Sequence, residues 1–294
     1  MRERPRISVI LVADGRQSSF HPLLRSLARQ VPLLREVQVL AVRGEDDPDF
    51  SPGLLRWGSI LPCADFVFLD CPETGPTAPA NAAARRAEGE ALLFLDSRHR
   101  LLPGHLETCL AALDQGADAV YPDRVLMDGN LLRYRRQPDF HPEQLRVGNP
   151  LGRAALLRRE VWEENGGLAG RTRFGHWEMW LRAVQRGRTL ARVPRPLLCT
   201  AAPSPQAPED GRHEALLVIR NSAFFADEVV RWALALLRGE AWALPAGPGR
   251  APNERQTRLM LENAPTQRTR TPAAKDSDAA MPWDRFLPER TLSA

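Results

Sequence analysis

The 294-residue sequence has few cysteines and no long apolar run, and each shortage excludes a class of protein. Its four cysteines have neither the CxxC spacing nor the neighbouring histidines of zinc sites, and they do not suggest a disulfide framework. No apolar stretch approaches the roughly 20 residues of a membrane-spanning helix, and the N-terminus lacks the apolar region of a signal peptide. The sequence therefore predicts a cytoplasmic protein with reduced thiols, and leaves open peripheral contact with the inner membrane face.

The charge and glycine patterns exclude two further kinds of site. The net charge of +4 is spread along the chain without a basic block, so no nucleic acid partner is expected. Lys275 is the only lysine, and a GC-rich genome explains the preference for arginine better than selection for guanidinium chemistry does. No GxGxxG follows the first predicted strand, which excludes a dinucleotide fingerprint. A nucleotide that binds this chain must be held in another way.

Short apolar runs alternate with helical or polar segments through the first part of the chain. Such repeated βα units predict an α/β domain with a mostly parallel, Rossmann-like sheet and helices on both faces. The predicted strands are Ile7–Ala13, Val37–Val42, Asp65–Asp70, Ala91–Leu95, Ala119–Tyr121 and Leu151–Leu157. The predicted helices of this domain include Phe20–Gln30, Gly104–Leu113, Arg159–Asn165 and His176–Arg186.

The chain is organised around the stretch from Pro79 to Arg100, in which a helix-forming segment and a tight break precede an apolar strand. Ala91–Leu95 has no polar alternation, as expected of a strand buried on both faces of a parallel sheet. Asp96 follows this strand directly and begins a charged cluster. Because open α/β sheets bind ligands at the carboxyl ends of their strands, this cluster is predicted to lie in a ligand site.

The order and spacing of several motifs resemble the family 2 glycosyltransferases with the GT-A, or nucleotide-diphospho-sugar transferase, fold. The resemblance covers roughly residues 7–198 and implies a GT-A domain over them; the pattern of the following residues predicts a C-terminal helical appendage. Its motifs are Asn81 with the Ala-rich helix and Gly89, the strand that ends on Asp96, Leu102–Leu106, Arg158–Arg159, Gly166–Leu168, His176–Ala183 and Val193–Pro194.

In that family an Asp-x-Asp motif contacts the nucleotide ribose and a divalent metal on the diphosphate. Here Asp96-Ser97-Arg98 keeps the first acid and replaces the second with arginine. A guanidinium cannot ligate a cation, but it can neutralise a diphosphate through bidentate hydrogen bonds. His99 could be a metal ligand or a further donor. The resemblance leaves open Mg²⁺ or Mn²⁺ at Asp96 and His99, a metal-independent transferase, or a site that has lost its chemistry.

The family's general base is an acid just before the tryptophan of the later helix, and His176 stands at that position. A neutral imidazole, whose ordinary pKa is near ~6.5, can take a proton at cytoplasmic pH. Glu178 is the weaker candidate because it points to another side of the helix. Asn81, Asp14 and Asp46 are further donor-binding candidates, the last two in the turns after the first two strands.

The composition changes after the predicted transferase domain. Trp177 and Trp180 lie on the apolar stripe of their helix, which predicts core packing rather than sugar stacking. An amphipathic segment around Phe224–Leu236 is a candidate surface for an oligomer or a partner. The predicted units are a GT-A-like domain over 1–200, a linker over 201–213, a helical appendage over 214–244 and a mostly disordered tail over 245–294.

The resemblance implies an inverting, hexosyltransferase-type enzyme. It would move a sugar from a UDP- or dTDP-sugar donor to a hydroxyl of a glycan or lipid-linked acceptor, in glycan or surface polysaccharide synthesis. The alternative is a catalytically inactive GT-A-like binding or scaffold protein that partners an active transferase, since two carboxylate positions of the family are altered. A nucleotidyltransferase is a more distant option, and it would need a metal-binding acid pair that the sequence does not offer.

Overall fold

The computed structural model describes residues 4–12, 20–43, 50–170, 172–201 and 210–264, and within these residues nine strands form one sheet. The strands are β1 (Ile7–Val12), β2 (Val37–Arg43), β3 (Asp65–Asp70), β4 (Ala91–Leu95), β5 (His99–Leu101), β6 (Ala119–Asp128), β7 (Leu131–Arg135), β8 (Leu156–Arg158) and β9 (Leu190–Ala201). The α-helices are α1 (His21–Leu27), α2 (Phe50–Ile60), α3 (Ala78–Arg86), α4 (His105–Asp114), α5 (Arg159–Glu164), α6 (Gly175–Gln185), α7 (Asp210–Arg220), α8 (Asp227–Arg238) and α9 (Glu254–Glu262).

The strand order is β3-β2-β1-β4-β8-β6-β9-β5, with β7 paired to β6 outside this path. β3, β2, β1 and β4 are mutually parallel, while β8 runs antiparallel to both of its neighbours. The predicted α/β class with a mostly parallel sheet is therefore confirmed. Because β1 and β4 are adjacent and parallel, their carboxyl ends meet at one edge, where Asp96 follows β4.

The strand β4 is buried on both faces, as its apolar run predicts. Leu92 and Phe94 belong to one hydrophobic core, which includes residues of α3 and α6. Leu93 and Leu95 belong to the other core, with residues of α1 and α4. Consecutive side chains of a strand point to opposite faces of the sheet. Packing of β4 between the two cores therefore fixes the position of Asp96, the residue that follows the strand.

Glycine is required at position 89, two residues before β4 begins. A Cβ atom there would lie 2.4 Å from the backbone nitrogen of Ser8, closer than packed atoms allow. The Gly89 amide also donates to the Ser8 hydroxyl oxygen at 2.8 Å. Any side chain at this position would push the start of β4 away from β1, and the edge that carries Asp96 would shift with it.

Two predicted strands have different bounds in the structure. The strand predicted over Leu151–Leu157 is confined to Leu156–Arg158, because Asn149 accepts a hydrogen bond from the Gly152 amide and closes a turn. Gly152 has a φ of +70°, which an extended strand does not allow. The turn that Asn149 closes therefore replaces the first part of the strand that the apolar pattern of Leu151–Leu157 predicts.

The strand predicted at Ala119–Tyr121 is much longer, and β6 continues to Asp128. The sequence suggests an end at Pro122, because proline cannot donate to a sheet ladder. The structure accommodates the proline with register shifts against β9 on both sides of Asp123. Such an irregularity lets the strand continue past a residue that would otherwise end it.

The C-terminal helices pack onto the same core as the sheet. Leu217 of α7 and Trp232 of α8 are fully buried and share one hydrophobic cluster with Trp177 and Trp180. The prediction that both tryptophans of α6 are core residues is confirmed. The apolar face of α8, which the sequence offered as a partner surface, is largely used inside this chain.

A helix lies within the segment predicted to be mostly disordered. Asn253 caps α9 by accepting a hydrogen bond from the Gln256 amide at 2.8 Å, and Thr257 is buried. The predicted disorder of the segment 245–294 is therefore wrong for Glu254–Glu262, which form a helix. Residues 265–294 lie outside the described part of the chain. No described helix is both long enough and apolar enough to cross a membrane.

Candidate active site

A narrow pocket opens at the edge where β1 and β4 end. Asp96 and His176 both line it, so two of the side chains singled out from the sequence meet there although 80 positions separate them. The short loop before α3, the turn after α5 and the segments around two arginines complete its walls. The pocket is lined by Val12, Pro76, Thr77, Ala80, Phe94, Leu95, Asp96, Arg153, Leu168, Arg173 and His176.

The Asp96 carboxylate is buried and surrounded by cationic groups. Arg98 donates through Nη2 to Oδ2 at 2.5 Å and through Nε to Oδ1 at 3.2 Å, and its backbone amide donates to Oδ1 at 3.0 Å. His99 Nδ1 lies 2.9 Å from Oδ1, and Arg153 Nη1 lies 3.7 Å from Oδ2. Burial would raise the pKa of Asp96, but hydrogen bonds and charges from His99 and Arg98 outweigh it and hold that pKa well below its usual range.

The residues around Asp96 do not fit a divalent cation. Oxygen-rich ligand sets suit Mg²⁺ and Mn²⁺, whereas both Asp96 oxygens accept hydrogen bonds from Arg98, and His99 Nδ1 is directed at Oδ1. Among the described residues, no group of three histidine, cysteine, aspartate or glutamate side chains could hold a metal. The two proposed ligands are thus engaged within the protein: Asp96 accepts from Arg98, and His99 Nδ1 lies 2.9 Å from Asp96 Oδ1 and accepts from the Asp96 backbone amide at 3.1 Å.

Arg153 and Arg173 are pocket residues that sequence reasoning missed. Arg153 Nη2 lies 3.5 Å from the Arg173 carbonyl oxygen, and Arg173 pairs with the largely buried Asp210 of α7 at 2.8 Å. Both arginines come from irregular segments without a recognisable motif, so only the folded chain brings them to Asp96. Among the described residues, Arg98, Arg153 and Arg173 place guanidinium groups near Asp96, and positive charge of this kind favours an anion.

His176 faces this cationic cluster from the start of α6. The side chain is buried, and its ring packs edge-on against Phe94 with the ring centroids 5.2 Å apart. Its Nε2 atom has no hydrogen-bond partner within the described residues, which is costly for a buried polar atom. Burial and the charge of Arg153 lower the pKa of His176 to about 3, so the imidazole is neutral near pH 7.

Glu178 lies away from the pocket. It is buried, and its Oε1 atom pairs with Arg220 of α7 at 3.1 Å. Burial raises its pKa, with Arg220 and Arg182 opposing that rise. The sequence prediction that Glu178 points to another side of the helix than His176 agrees with this contact, which joins α6 to α7.

Asn81 supports the pocket wall. Its side chain donates to the Leu168 carbonyl oxygen at 2.8 Å and accepts from the Leu168 amide at 2.9 Å. Leu168 lines the pocket, so Asn81 fixes a lining residue and is itself occupied by backbone groups. Asp14 and Asp46 fall in 13–19 and 44–49, outside the described residues.

The sequence match decides the family. Residues 8–180, more than half of the chain, match Glycosyl transferase family 2. The chain belongs to that family. No curated protein matches the chain at the sequence level.

Solved structures share the fold of this family 2 chain at low identity. TarS 1–349 from S. aureus in complex with UDP is 17% identical, with a TM-score of 0.60 over 81% of this chain and 72% of that one. The chain spans 44% of a longer TarS structure at 15% identity, with a TM-score of 0.59 over 82% of its own length. The mannosyltransferase PcManGT from Pyrobaculum calidifontis, in complex with GDP-Man and Mn²⁺, is 17% identical, with a TM-score of 0.54 over 88% of this chain and 69% of that one. The shared fold is GT-A.

Proposed function

We propose that the chain transfers a sugar, with inversion, from a nucleotide-diphosphate donor to an acceptor hydroxyl. The observation that carries this proposal is the pocket, which His176 lines together with Asp96, Arg153 and Arg173, and the His176 Nε2 atom has no hydrogen-bond partner among the described residues. A buried nitrogen that lacks a partner and faces an anion-favouring pocket is positioned to meet a substrate hydroxyl. Membership of a glycosyltransferase family gives the reaction class.

Arg153 and Arg173 are the proposed ligands of the donor diphosphate. Both line the pocket, whereas Arg98 is turned onto the Asp96 carboxylate. A guanidinium offers paired donors that match phosphate oxygens, and fixed positive charge at the leaving group lowers the barrier to its departure. In this account Arg98 and His99 hold Asp96 ionised and fixed, and Asp96 orients the donor nucleotide. No step passes through a metal ion.

The transfer is a single displacement. The acceptor oxygen forms a bond to the anomeric carbon while the bond from that carbon to the diphosphate oxygen breaks on the opposite face. The nucleoside diphosphate leaves with the electron pair, and the hydroxyl proton passes to His176 Nε2. A bound diphosphate next to Arg153 would offset the charge that depresses the pKa of His176, so donor binding makes the imidazole a stronger base.

Support for the donor class comes from the neighbours. Two TarS structures are complexes with UDP and with UDP-GlcNAc, and PcManGT is a complex with GDP-Man and Mn²⁺. We therefore take a nucleotide-activated hexose as the donor, with UDP- or dTDP-sugars first. A glycan or lipid-linked acceptor in the cytoplasm, in surface polysaccharide synthesis, completes the proposal.

A second candidate is a donor-binding protein without transfer activity. One observation favours it: burial and Arg153 lower the pKa of His176 to about 3, which makes the unliganded imidazole a weak base. In that case the pocket would still bind a nucleotide, and a partner transferase would supply the chemistry.

Calorimetric titration with UDP-, dTDP- and GDP-sugars, followed by donor hydrolysis and transfer assays, separates these candidates. A transferase binds at least one donor and turns it over, and His176→Ala abolishes turnover while leaving donor affinity within a few-fold. Binding without turnover in the wild type supports the second candidate. The absence of binding to any nucleotide contradicts both.

A further inference from the structure

A second cavity lies between α1 and β5, apart from the pocket that contains His176. Its volume is about 340 Å³, and no residue lines both cavities. No carboxylate lines it among the described residues. It is lined by His21, Pro22, Arg25, Ser26, Arg29, Arg100, Leu101, Leu102 and Pro103. We call this cavity the α1–β5 groove.

Three arginines, Arg25, Arg29 and Arg100, give the groove positive charge. Arg25 and Arg29 are exposed, and neither forms an ion pair with a described residue. Arg25 lies in α1 and Arg29 lies two residues after its end, and both side chains line the groove, where their like charges repel. A protein tolerates such an arrangement at a small cost in stability, and an anion between the two side chains would remove that cost.

The third arginine connects the groove with the pocket edge. Arg100 donates through Nη1 to the carbonyl oxygens of Ser97 at 2.5 Å and of His99 at 2.6 Å. These two residues belong to the turn that directly follows Asp96. Arg100 thus borders the groove on one side and supports the Asp96 turn on the other.

The walls of the groove are fixed to each other. Ser26 accepts a hydrogen bond from the Leu101 amide at 2.9 Å, and Gln30 donates to the Leu102 carbonyl oxygen at 3.0 Å. Gln30 also accepts from the Leu106 amide at 3.2 Å, which fixes the segment after β5. The groove is therefore preformed, and an anion that binds there need not order its walls.

The groove also contains a histidine with a fixed ring and some apolar surface. Trp57 donates to His21 Nδ1 at 2.7 Å, which fixes the orientation of the His21 ring. Pro22, Leu102 and Pro103 provide apolar surface between the charged groups. Several guanidinium groups suit the clustered oxygens of phosphate, and the apolar surface suits carbon atoms on either side of it.

We propose that the α1–β5 groove binds a phosphate group of the acceptor substrate and so holds that acceptor beside the Asp96 turn. This proposal rests on the transferase function proposed above, since it specifies the acceptor as phosphate-bearing. The phosphate could belong to a soluble phosphodiester chain or to a lipid headgroup, and the chemistry of recognition is the same for both.

The test measures binding of inorganic tripolyphosphate by calorimetry, with and without saturating UDP to occupy the pocket. The double variant Arg25→Gln/Arg29→Gln should weaken this binding at least about tenfold, because charge-assisted hydrogen bonds are lost. The matched control is Arg133→Gln/Arg135→Gln, which removes the same charge from the exposed strand β7 and should leave the affinity unchanged. Equal weakening in both double variants would overturn the groove assignment, as would unchanged binding in the first.

Two further measurements identify the molecule that carries the phosphate and test whether the groove prefers phosphate to other anions. Flotation with phosphatidylglycerol vesicles, lost in the Arg25/Arg29 double variant, would assign the phosphate to a lipid headgroup, and absence of flotation would assign it to a soluble chain. Tighter binding of citrate than of tripolyphosphate would overturn the assignment to phosphate. If UDP fails to bind the wild type, the transferase proposal fails alone, because tripolyphosphate binding at Arg25 and Arg29 still reports on the groove.

Discussion

Asp96 and Asp123 are both buried and both paired with arginine, but of these two aspartates Asp96 alone lines one of the pockets described above. The Asp123 carboxylate receives two hydrogen bonds at each oxygen: Arg192 and the Gln137 amide donate to Oδ1, and Arg192 and Tyr134 donate to Oδ2. Every acceptor position is thus satisfied by the protein. Asp123 joins β6, β7 and β9 and lines none of the pockets considered above.

The surroundings of Asp96 differ from those of Asp123, because one nearby side chain has an unsatisfied hydrogen-bonding atom. Arg98 and His99 satisfy its oxygens, but His176 across the pocket keeps a buried nitrogen without a described partner. Arg153 also faces the same space. Both aspartates have lowered pKa values, so a lowered pKa alone does not identify a functional site. The pocket and the unpartnered imidazole distinguish Asp96 from a purely structural ion pair.

The largest effect is expected from the imidazole. His176→Ala should reduce the transfer rate by roughly 10²–10⁴-fold, the usual contribution of a general base. The matched control is His105→Ala, because His105 is also buried and its Nε2 atom also has no partner among the described residues, yet it does not line the pocket. Initial rates per folded protein, with folding checked by circular dichroism, make the comparison. An equal loss of transfer rate in the two variants would contradict a specific role for His176 in the reaction.

The two ion pairs should differ in their contribution to stability. Arg192 is 8% exposed in its side chain and Arg98 is 36% exposed, while both partner carboxylates are buried. Arg192→Gln leaves Asp123 buried and uncompensated, and should cost about 3 kcal/mol of unfolding free energy. Arg98→Gln should cost about 1 kcal/mol, because water reaches that side chain. Urea unfolding measures both values.

Affinity for the nucleotide should depend on the two pocket arginines. Arg153→Gln or Arg173→Gln should each weaken UDP binding by about tenfold, since one charge-assisted contact to the diphosphate is lost. Arg133→Gln on the exposed strand β7 is the matched control and should bind UDP like the wild type. Calorimetry provides the dissociation constants. Unchanged affinity in both pocket variants would show that the diphosphate binds elsewhere.

The structural pair should also make stability depend on pH. The hydrogen bond from Arg192 outweighs burial and lowers the pKa of Asp123 from 3.8 to about 2. A depressed folded pKa gives stability that is fully present above about pH 4 and is lost as the pH falls to about 2, a change of about 2 kcal/mol. The stability difference between wild type and Asp123→Asn should therefore shrink over that window. A constant difference would contradict the assigned pKa.

The sheet edge and Asp96 could be predicted because they depend on local pattern. An uninterrupted apolar run indicates a strand buried on both faces, and the residue after it must lie at the carboxyl edge. His176 was found by its position before Trp177. The strand β6 was cut short in the prediction, since no local pattern shows that β9 will accommodate Pro122 through a register shift.

Arg153 and Arg173 could not be predicted, for a physical reason. Each lies in an irregular segment whose path is set by tertiary contacts: the turn closed by Asn149 precedes Arg153, and Asp210 of α7 holds Arg173. The sequence also predicts the role of Arg98 only in part. The sequence shows that it replaces a possible metal ligand, and only the folded geometry shows that its guanidinium is bonded to Asp96.

The most direct measurement of the central claim is UDP binding with excess chelator and again with Mn²⁺. Guanidinium groups of Arg153 and Arg173 take the place of a cation in this account, so the two dissociation constants should agree within about twofold and both should rise in Arg173→Gln. Binding that appears only with Mn²⁺, and that survives Arg173→Gln, would contradict the account.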